Sequence, residues 1–348
     1  MKQIIPKEFD ISPKHGFILK GWDFDSKTVS EALEQNRMLN PAIELGINVC
    51  PWNCDFCFTE EPGSTEKIRS KELSIGERLK LIDDLAALGT KSINFIGAGE
   101  PTIDPDFWTI LERMRTHNIT PIVYTEGSLK LIDKAFAKKL FDIGATVVLK
   151  VNSMANEKYQ NAVVNGTTGR KRPMAENYFQ QRNEALDVLM KIGFNKTFPT
   201  RLAFDTIICK ENVNEILDIH RFTRQNNIFV LFVNYLTSGR STDLLHNAIS
   251  STRQKEIFRQ ISEVDKKEFG LAHDWFFPYA GCAPCTIRGL GLYVKINGDT
   301  FDCPGELQYL GNIKKDSITD LWKKTDTIRK NFDFKCAPRE KFWKNKAR

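Results

Sequence analysis

Seven of the eight cysteines fall into two groups whose spacing suits metal chemistry. Cys50-Pro-Trp-Asn-Cys54-Asp-Phe-Cys57 is a C-x3-C-x2-C triplet. Three thiolates on one tight loop can hold three corners of an iron–sulfur cube, leaving the fourth iron open to a small chelating molecule. A structural zinc site or unrelated buried thiols are the alternatives. Closed zinc sites take four ligands, and no further Cys or His lies near the triplet. Cys282, Cys285, Cys303 and Cys336 form the second group, which suits either a second cluster or tetrahedral zinc. Cys209 stands alone and reads as a buried structural thiol. None of the five histidines sits in a ligand-like pair. A further chemical motif is Gly97-Ala98-Gly99-Glu100-Pro101, where glycines allow close backbone approach to a ligand and a carboxylate suits an ammonium.

These residues need a scaffold, and the pattern from about residue 43 alternates strand and helix. Ile43, Leu45, Ile47 and Val49 are apolar at period two, which predicts a first strand. Ser74-Ile75-Gly76-Glu77 is a capping box, followed by Leu79, Ile82, Leu85 and Leu88 at helical spacing. Further strands are expected at 93–96, 122–125, 146–151, 201–208 and 228–233. Helices are expected at 107–114, around 132–143, up to Ile192, and at 213–222, with an irregular polar stretch at 156–175. Six β/α units imply an α/β fold, a partial (β/α)6 barrel with its site at the C-terminal strand ends. Residues 241–270 read as a helical linker. After 271 the pattern changes: 292–296, Asn297-Gly298 and 300–303 predict a β-hairpin in a small α+β domain spanning 271–348, with a helix near 317–322. Residues 1–42 show no clear periodicity and form an N-terminal extension.

Composition narrows the class. With 348 residues, 41% hydrophobic and 27% charged, the chain is an ordinary globular protein with a core that needs no disulfides. The net charge of +6 sits mostly in the tail, since residues 335–348 carry six Lys/Arg and one Glu. A nucleic-acid partner is therefore disfavoured. No stretch approaches the roughly 18 apolar residues of a membrane span. The first residues carry no apolar signal-peptide region, so we expect a cytoplasmic protein with reduced thiols.

The triplet and the Gly-x-Gly-Glu-Pro motif together resemble the radical S-adenosylmethionine (SAM) superfamily, and the likeness extends over residues 43–240. The resemblance implies that Cys50, Cys54 and Cys57 bind a [4Fe–4S] cluster whose open iron chelates the amino and carboxyl groups of SAM. Phe56 matches the aromatic position near adenine. Gly97, Gly99 and Glu100 match the motif that meets the SAM amino group, with Ala98 interrupting the commoner glycine pair. Thr125 and Gly127 match a Thr-Asn-Gly strand end, with Glu126 as a departure. Lys150, Asn152 and Ser153 match strand-end polar residues near the SAM ribose and carboxylate. Residues 235–240 are similar to a Gly-Arg turn of the family.

The C-terminal region resembles the auxiliary-cluster domain called SPASM, or its half-sized form, Twitch. Gly298-x4-Cys303-Pro304, Leu310-Gly311-Asn312-Ile313 and Leu321-Trp322 carry the likeness. It implies a second [4Fe–4S] cluster on Cys282, Cys285, Cys303 and Cys336, with a zinc ribbon as the alternative. The implied activity is reductive SAM cleavage to a 5′-deoxyadenosyl radical that abstracts hydrogen from a C–H bond. The partners are SAM and a reductant such as flavodoxin or ferredoxin. The second cluster would accept an electron or anchor substrate. Only 49 residues precede Cys50, without a recognition-domain pattern, which favours a small-molecule substrate over a peptide or protein one. A GTP cyclase is disfavoured because the chain ends Lys346-Ala347-Arg348 and not in Gly-Gly. A non-enzymatic iron–sulfur or zinc protein is the contrasting class, separable by SAM cleavage.

Overall fold

A computed structural model describes residues 18–45, 50–58, 72–165, 177–235, 239, 241, 246–271, 285–305, 308–332, 334 and 336. Ile47, Val49, Cys282, Arg240 and the tail beyond Cys336 lie outside these residues, as does most of the turn after the sixth strand.

Among the described residues nine strands form one sheet in the order β6-β5-β4-β3-β2-β1-β7-β8-β9. They are β1 (Ala42–Leu45), β2 (Ser92–Ala98), β3 (Thr120–Thr125), β4 (Thr146–Lys150), β5 (Leu202–Ile207), β6 (Phe229–Val233), β7 (Tyr293–Val294), β8 (Asp299–Phe301) and β9 (Tyr309–Asn312). β1 to β6 run parallel, as the β/α alternation predicts. Period-two alternation sorts their side chains. Ile43, Phe95, Val123, Val147, Leu149, Phe204 and Phe232 pack under the helices, and Ile122, Val148, Ala203, Ile207 and Leu231 face the opposite side. The fold is α/β, a parallel partial barrel.

The helix Ile75–Ala87 begins as its sequence requires: Ser74 Oγ accepts from Glu77 N–H, and Ser74 N–H donates to Glu77 Oε2 at 2.7 Å. Leu81, Ile82 and Leu85 are buried on its sheet face. The expected hairpin is present, with Tyr293 opposite Phe301 and Gly298 at φ 89° in the turn. A third strand, β9, extends it. The hairpin belongs to the main sheet, because β7 pairs in parallel with β1.

Two segments differ from the sequence reading. The stretch expected to be irregular contains a helix, Glu157–Asn165. It has tertiary partners at both ends: Glu157 accepts from Gln180, and the carbonyls of Val163 and Val164 accept from Asp55 and Asn53. In the N-terminal extension, the helix Ser26–Glu34 is capped by Asp25, whose carboxylate accepts from Thr28 N–H. Its Val29 and Ala32 pack with Leu290, Phe332 and Phe334 of the C-terminal region. Before it, residues 18–23 run past the N-terminal ends of the strands. Ser92 Oγ donates to Gly21 O, Thr146 Oγ1 donates to Lys20 O, and Lys20 N–H donates to Thr200 O. Among the described residues no helix is long and apolar enough to cross a membrane.

Candidate active site

Cys50, Cys54 and Cys57 lie on the loop that follows β1, each half-buried. The loop is held from three sides. Trp52, in its middle, is buried and meets Tyr178 edge-on with ring centroids 5.3 Å apart. Asn53 N–H and Asp55 N–H donate to the carbonyls of Val164 and Val163 at 3.0 and 3.2 Å. These are last-turn carbonyls of the helix Glu157–Asn165, which have no partner within the helix. The unforeseen helix thus positions the cysteine loop. On the third side sits Gly239, at φ 55°. A Cβ there would lie 2.6 Å from the Phe58 carbonyl carbon and 2.8 Å from Cys57 O, so the backbones touch at a place only glycine fills.

The strand ends supply the carboxylates. Glu100 is buried and fixed by four donors: Thr102 N–H at 3.1 Å, Thr102 Oγ1 at 2.6 Å, Thr125 Oγ1 at 2.7 Å and Glu126 N–H at 3.0 Å. Three of these reach Oε1, so Oε2 keeps a lone pair for a further donor such as an ammonium. Thr125 therefore orients Glu100. Glu126 is buried beside it and accepts from Ser128 and Leu129. Burial pushes its carboxyl up to about 8, and the neighbouring Glu100 charge adds to the rise. Burial also raises Glu100. The Cys50 thiol is pushed up to about 12, again by burial first, with Glu100, Cys57 and Glu126 contributing. The raised Cys50 thiol holds its proton, and bound iron would displace it. Gly97 and Gly127 adopt φ 86° and 88°, and a Cβ on Gly127 would strike Leu149 at 2.4 Å.

Among the described residues no three Cys, His, Asp or Glu side chains converge on one point as a single metal ion requires. Phe56 lies under the Lys150 ammonium, 4.5 Å from the ring centroid, and Lys150 pairs with Asp205 at 2.9 Å. Asn152 and Ser153 are buried with their side chains committed to protein. Asn152 Oδ1 accepts from Ile207 N–H at 3.1 Å, and Ser153 Oγ donates to Glu215 at 2.7 Å. Sequence reading did not find Trp52, Tyr178, Asp205 or Glu215. Only Trp52, a large apolar residue inside a polar loop, carried a local signal.

In the C-terminal region Cys285, Cys303 and Cys336 are neighbours. The Cys285 thiol is driven well up by its contact with Cys336, by burial and by Cys303. Cys285 N–H donates to Phe334 O at 2.9 Å, and Phe334 sits at φ 60°, a strained conformation for a bulky residue. That turn brings Cys336 back to Cys285. Cys209 lies on the face opposite the helices, with its Sγ 2.9 Å from the Tyr159 hydroxyl.

Residues 46–223, more than half of the chain, match the family described as the Radical SAM superfamily, and the chain belongs to it. Enzymes of this family bind a [4Fe–4S] cluster together with SAM. The chain is 23% identical over 295 residues to the mycofactocin maturase MftC of Mycolicibacterium smegmatis, covering 80% of this chain and 69% of that protein. Its fold is similar to SuiB of Streptococcus suis bound to precursor peptide SuiA (TM-score 0.61, 16% identity, 87% of this chain, 70% of that one). It is also similar to anSMEcpe with bound AdoMet and a peptide (TM-score 0.58, 15% identity, 86% of this chain, 84% of that one).

Proposed function

We propose that this chain is a radical SAM maturase acting on a peptide or protein. The observation that carries the reading is the reach of the likeness. Similarity to a maturase covers 80% of the chain, well beyond residues 46–223, and the similar folds of SuiB and anSMEcpe were both determined with peptides bound. This displaces the small-molecule substrate expected from the short segment before Cys50.

Cys50, Cys54 and Cys57 would hold the first cluster, which with SAM supplies one-electron chemistry and a hydrogen-abstracting carbon radical. Glu100, preset by Thr102, Thr125 and Glu126 N–H, receives the SAM ammonium on Oε2. Gly97 and Gly99 keep the backbone beside it open. Phe56 offers a ring face to adenine, held in place by Lys150. Cys282, Cys285, Cys303 and Cys336 would hold a second cluster. The strained return at Phe334 supports that set, because it brings Cys336 to Cys285 without a disulfide. A reduced compartment such as the cytoplasm suits these thiols.

The test is anaerobic reconstitution with a low-potential reductant and SAM, together with short peptides encoded beside the gene. The expected result is faster 5′-deoxyadenosine release with one peptide and a mass change in that peptide. Release accelerated only by small metabolites would defeat the peptide reading, and no SAM cleavage at all would defeat the activity.

A further inference from the structure

Three side chains with readily abstracted hydrogens meet past the ends of β5 and β6, and the chemistry assigned so far uses none of them. Ile207 and Cys209 on one strand line, and Val233 and Tyr235 on the next, face the side away from the helices. Cys209 and Tyr235 each lie two residues beyond their strand, at the C-terminal end where a parallel sheet keeps its site. Tyr159, from the helix Glu157–Asn165, completes the group. Its hydroxyl lies 2.9 Å from Cys209 Sγ, and the Tyr235 hydroxyl bonds the same sulfur. The thiol in turn donates to Asn212 Oδ1 at 3.4 Å, and Asn212 Nδ2 is anchored on the carbonyls of Asn152 and Ile207 at 2.7 and 2.8 Å. Burial pushes the thiol and both phenols up, so all three keep their hydrogens. Cys209 and Tyr235 are buried, while Tyr159 is half-buried and forms the outer end of the group.

This group adjoins the cysteine loop. Phe56 and Tyr159 pack against one apolar cluster that includes Cys209 and Tyr235. Tyr235 also feels the charge of Asp55, between Cys54 and Phe56. A thiol S–H and a phenol O–H yield a hydrogen atom far more readily than an alcohol or water O–H. Cys50, Cys54 and Cys57 would carry no such hydrogen once bound to iron. We propose that Tyr159 gives a hydrogen atom to a carbon radical in the barrel and that Cys209 restores it. The Tyr159 O–H bond breaks as the new C–H bond forms, leaving a phenoxyl radical. Cys209 passes its S–H hydrogen atom to that oxygen and becomes a thiyl radical. The thiyl takes one electron from the low-potential reductant that also serves the first cluster, and one proton from solvent. Tyr235 is a positioning residue that holds the sulfur in line. A substrate carbon that has lost a hydrogen atom thus regains one derived from solvent, and the substrate is neither oxidised nor reduced overall. The inference rests on family membership and is independent of the peptide reading.

The test needs no peptide, because SAM alone can supply the carbon radical. Cluster-loaded protein in D2O is given SAM and titanium(III) citrate, and mass spectrometry reads deuterium per 5′-deoxyadenosine released. Exchangeable S–D and O–D groups within reach of the radical label the product, whereas solvent O–D bonds are too strong to do so. The parent protein should give mostly singly deuterated product. Tyr159→Phe should lower the labelled fraction severalfold from the first turnover onwards. Cys209→Ser keeps the hydrogen bonds but offers an O–H too strong to yield an atom. It should label the first turnover, lose label in later ones, and leave a phenoxyl radical visible by electron paramagnetic resonance. Cys209→Ser carries the test by itself if Tyr159→Phe does not fold. Unlabelled 5′-deoxyadenosine from the parent would overturn the proposal and leave the family activity standing. An unchanged labelled fraction in Cys209→Ser after many turnovers, with no phenoxyl signal, would also overturn it. Absence of SAM cleavage would overturn both.

Discussion

The two cysteine regions solve the same problem in opposite ways. The first set spans 50–57, on one loop, held by the Trp52–Tyr178 ring contact and by backbone contacts: helix carbonyls at Val163 and Val164, and the Gly239 backbone. The described members of the second set span 285–336, and the segments that carry Cys285 and Cys336 meet where Leu290, Phe332 and Phe334 pack on the N-terminal helix Ser26–Glu34. Local ligands need a rigid mount. Dispersed ligands need a folded unit, which the ligated metal then helps to hold. The first site should therefore lose its metal without unfolding, and the second should couple metal to stability.

The largest expected effect tests that contrast directly. Cys50→Ala, Cys54→Ala and Cys57→Ala combined should abolish SAM cleavage and remove about four of about eight irons, with little change in Tm. Cys285→Ala, Cys303→Ala and Cys336→Ala combined should remove the other irons and lower Tm markedly, while slow SAM cleavage persists. Metal analysis beside calorimetry reads both. Zinc at the second site, or an equal Tm loss in both variants, would break the comparison.

A smaller effect is expected at the mount. Gly239→Ala places a methyl group 2.6 Å from the Phe58 carbonyl carbon. It should cost about 1–3 kcal/mol as overpacking and lower occupancy of the first cluster alone. Uniform loss from both sites would mean that the Gly239 contact is not specific to the loop.

The smallest effect concerns pH. Glu126 is held near 8 by burial, then by Glu100. An acid raised in the fold is protonated where the unfolded chain would ionise, so its burial costs little below about pH 4. The cost grows as pH rises towards 8. Glu126→Gln should raise the Tm of the metal-free protein more at pH 8 than at pH 5, by roughly 2–4 °C per kcal/mol relieved. An equal gain at both pH values would contradict the raised carboxyl.

The parallel strands were legible because both of their faces are buried, leaving short apolar runs such as Val147-Val148-Leu149. The cysteine triplet and Glu100 stood out as candidates because the chemistry proposed for them is written in local spacing. The helix Glu157–Asn165 was not, since Glu-Lys-Tyr-Gln-Asn reads as a polar loop and its fixing partners lie a hundred residues upstream, at Asn53 and Asp55. Asn152 and Ser153 show the same limit. Their types were visible, but their orientation depends on Gln160 and on Glu215, some sixty residues away. The N-terminal helix lacked a legible role because its apolar face meets residues near the other end of the chain.

One pairing has a consequence for how the protein is made. β1 sits between β2 and β7, and its partner Tyr293 comes about 250 residues after Ala42. At roughly 5–20 residues per second, a ribosome needs on the order of ten seconds to a minute to deliver it. Throughout that interval β1 is an open sheet edge, able to recruit a neighbouring nascent chain. Glu44, in the middle of Ala42-Ile43-Glu44-Leu45, carries an inward charge that discourages such pairing. When β7 arrives, the same carboxylate accepts the Tyr293 hydroxyl and Ile296 N–H, and the guarded edge becomes the seam of the finished sheet.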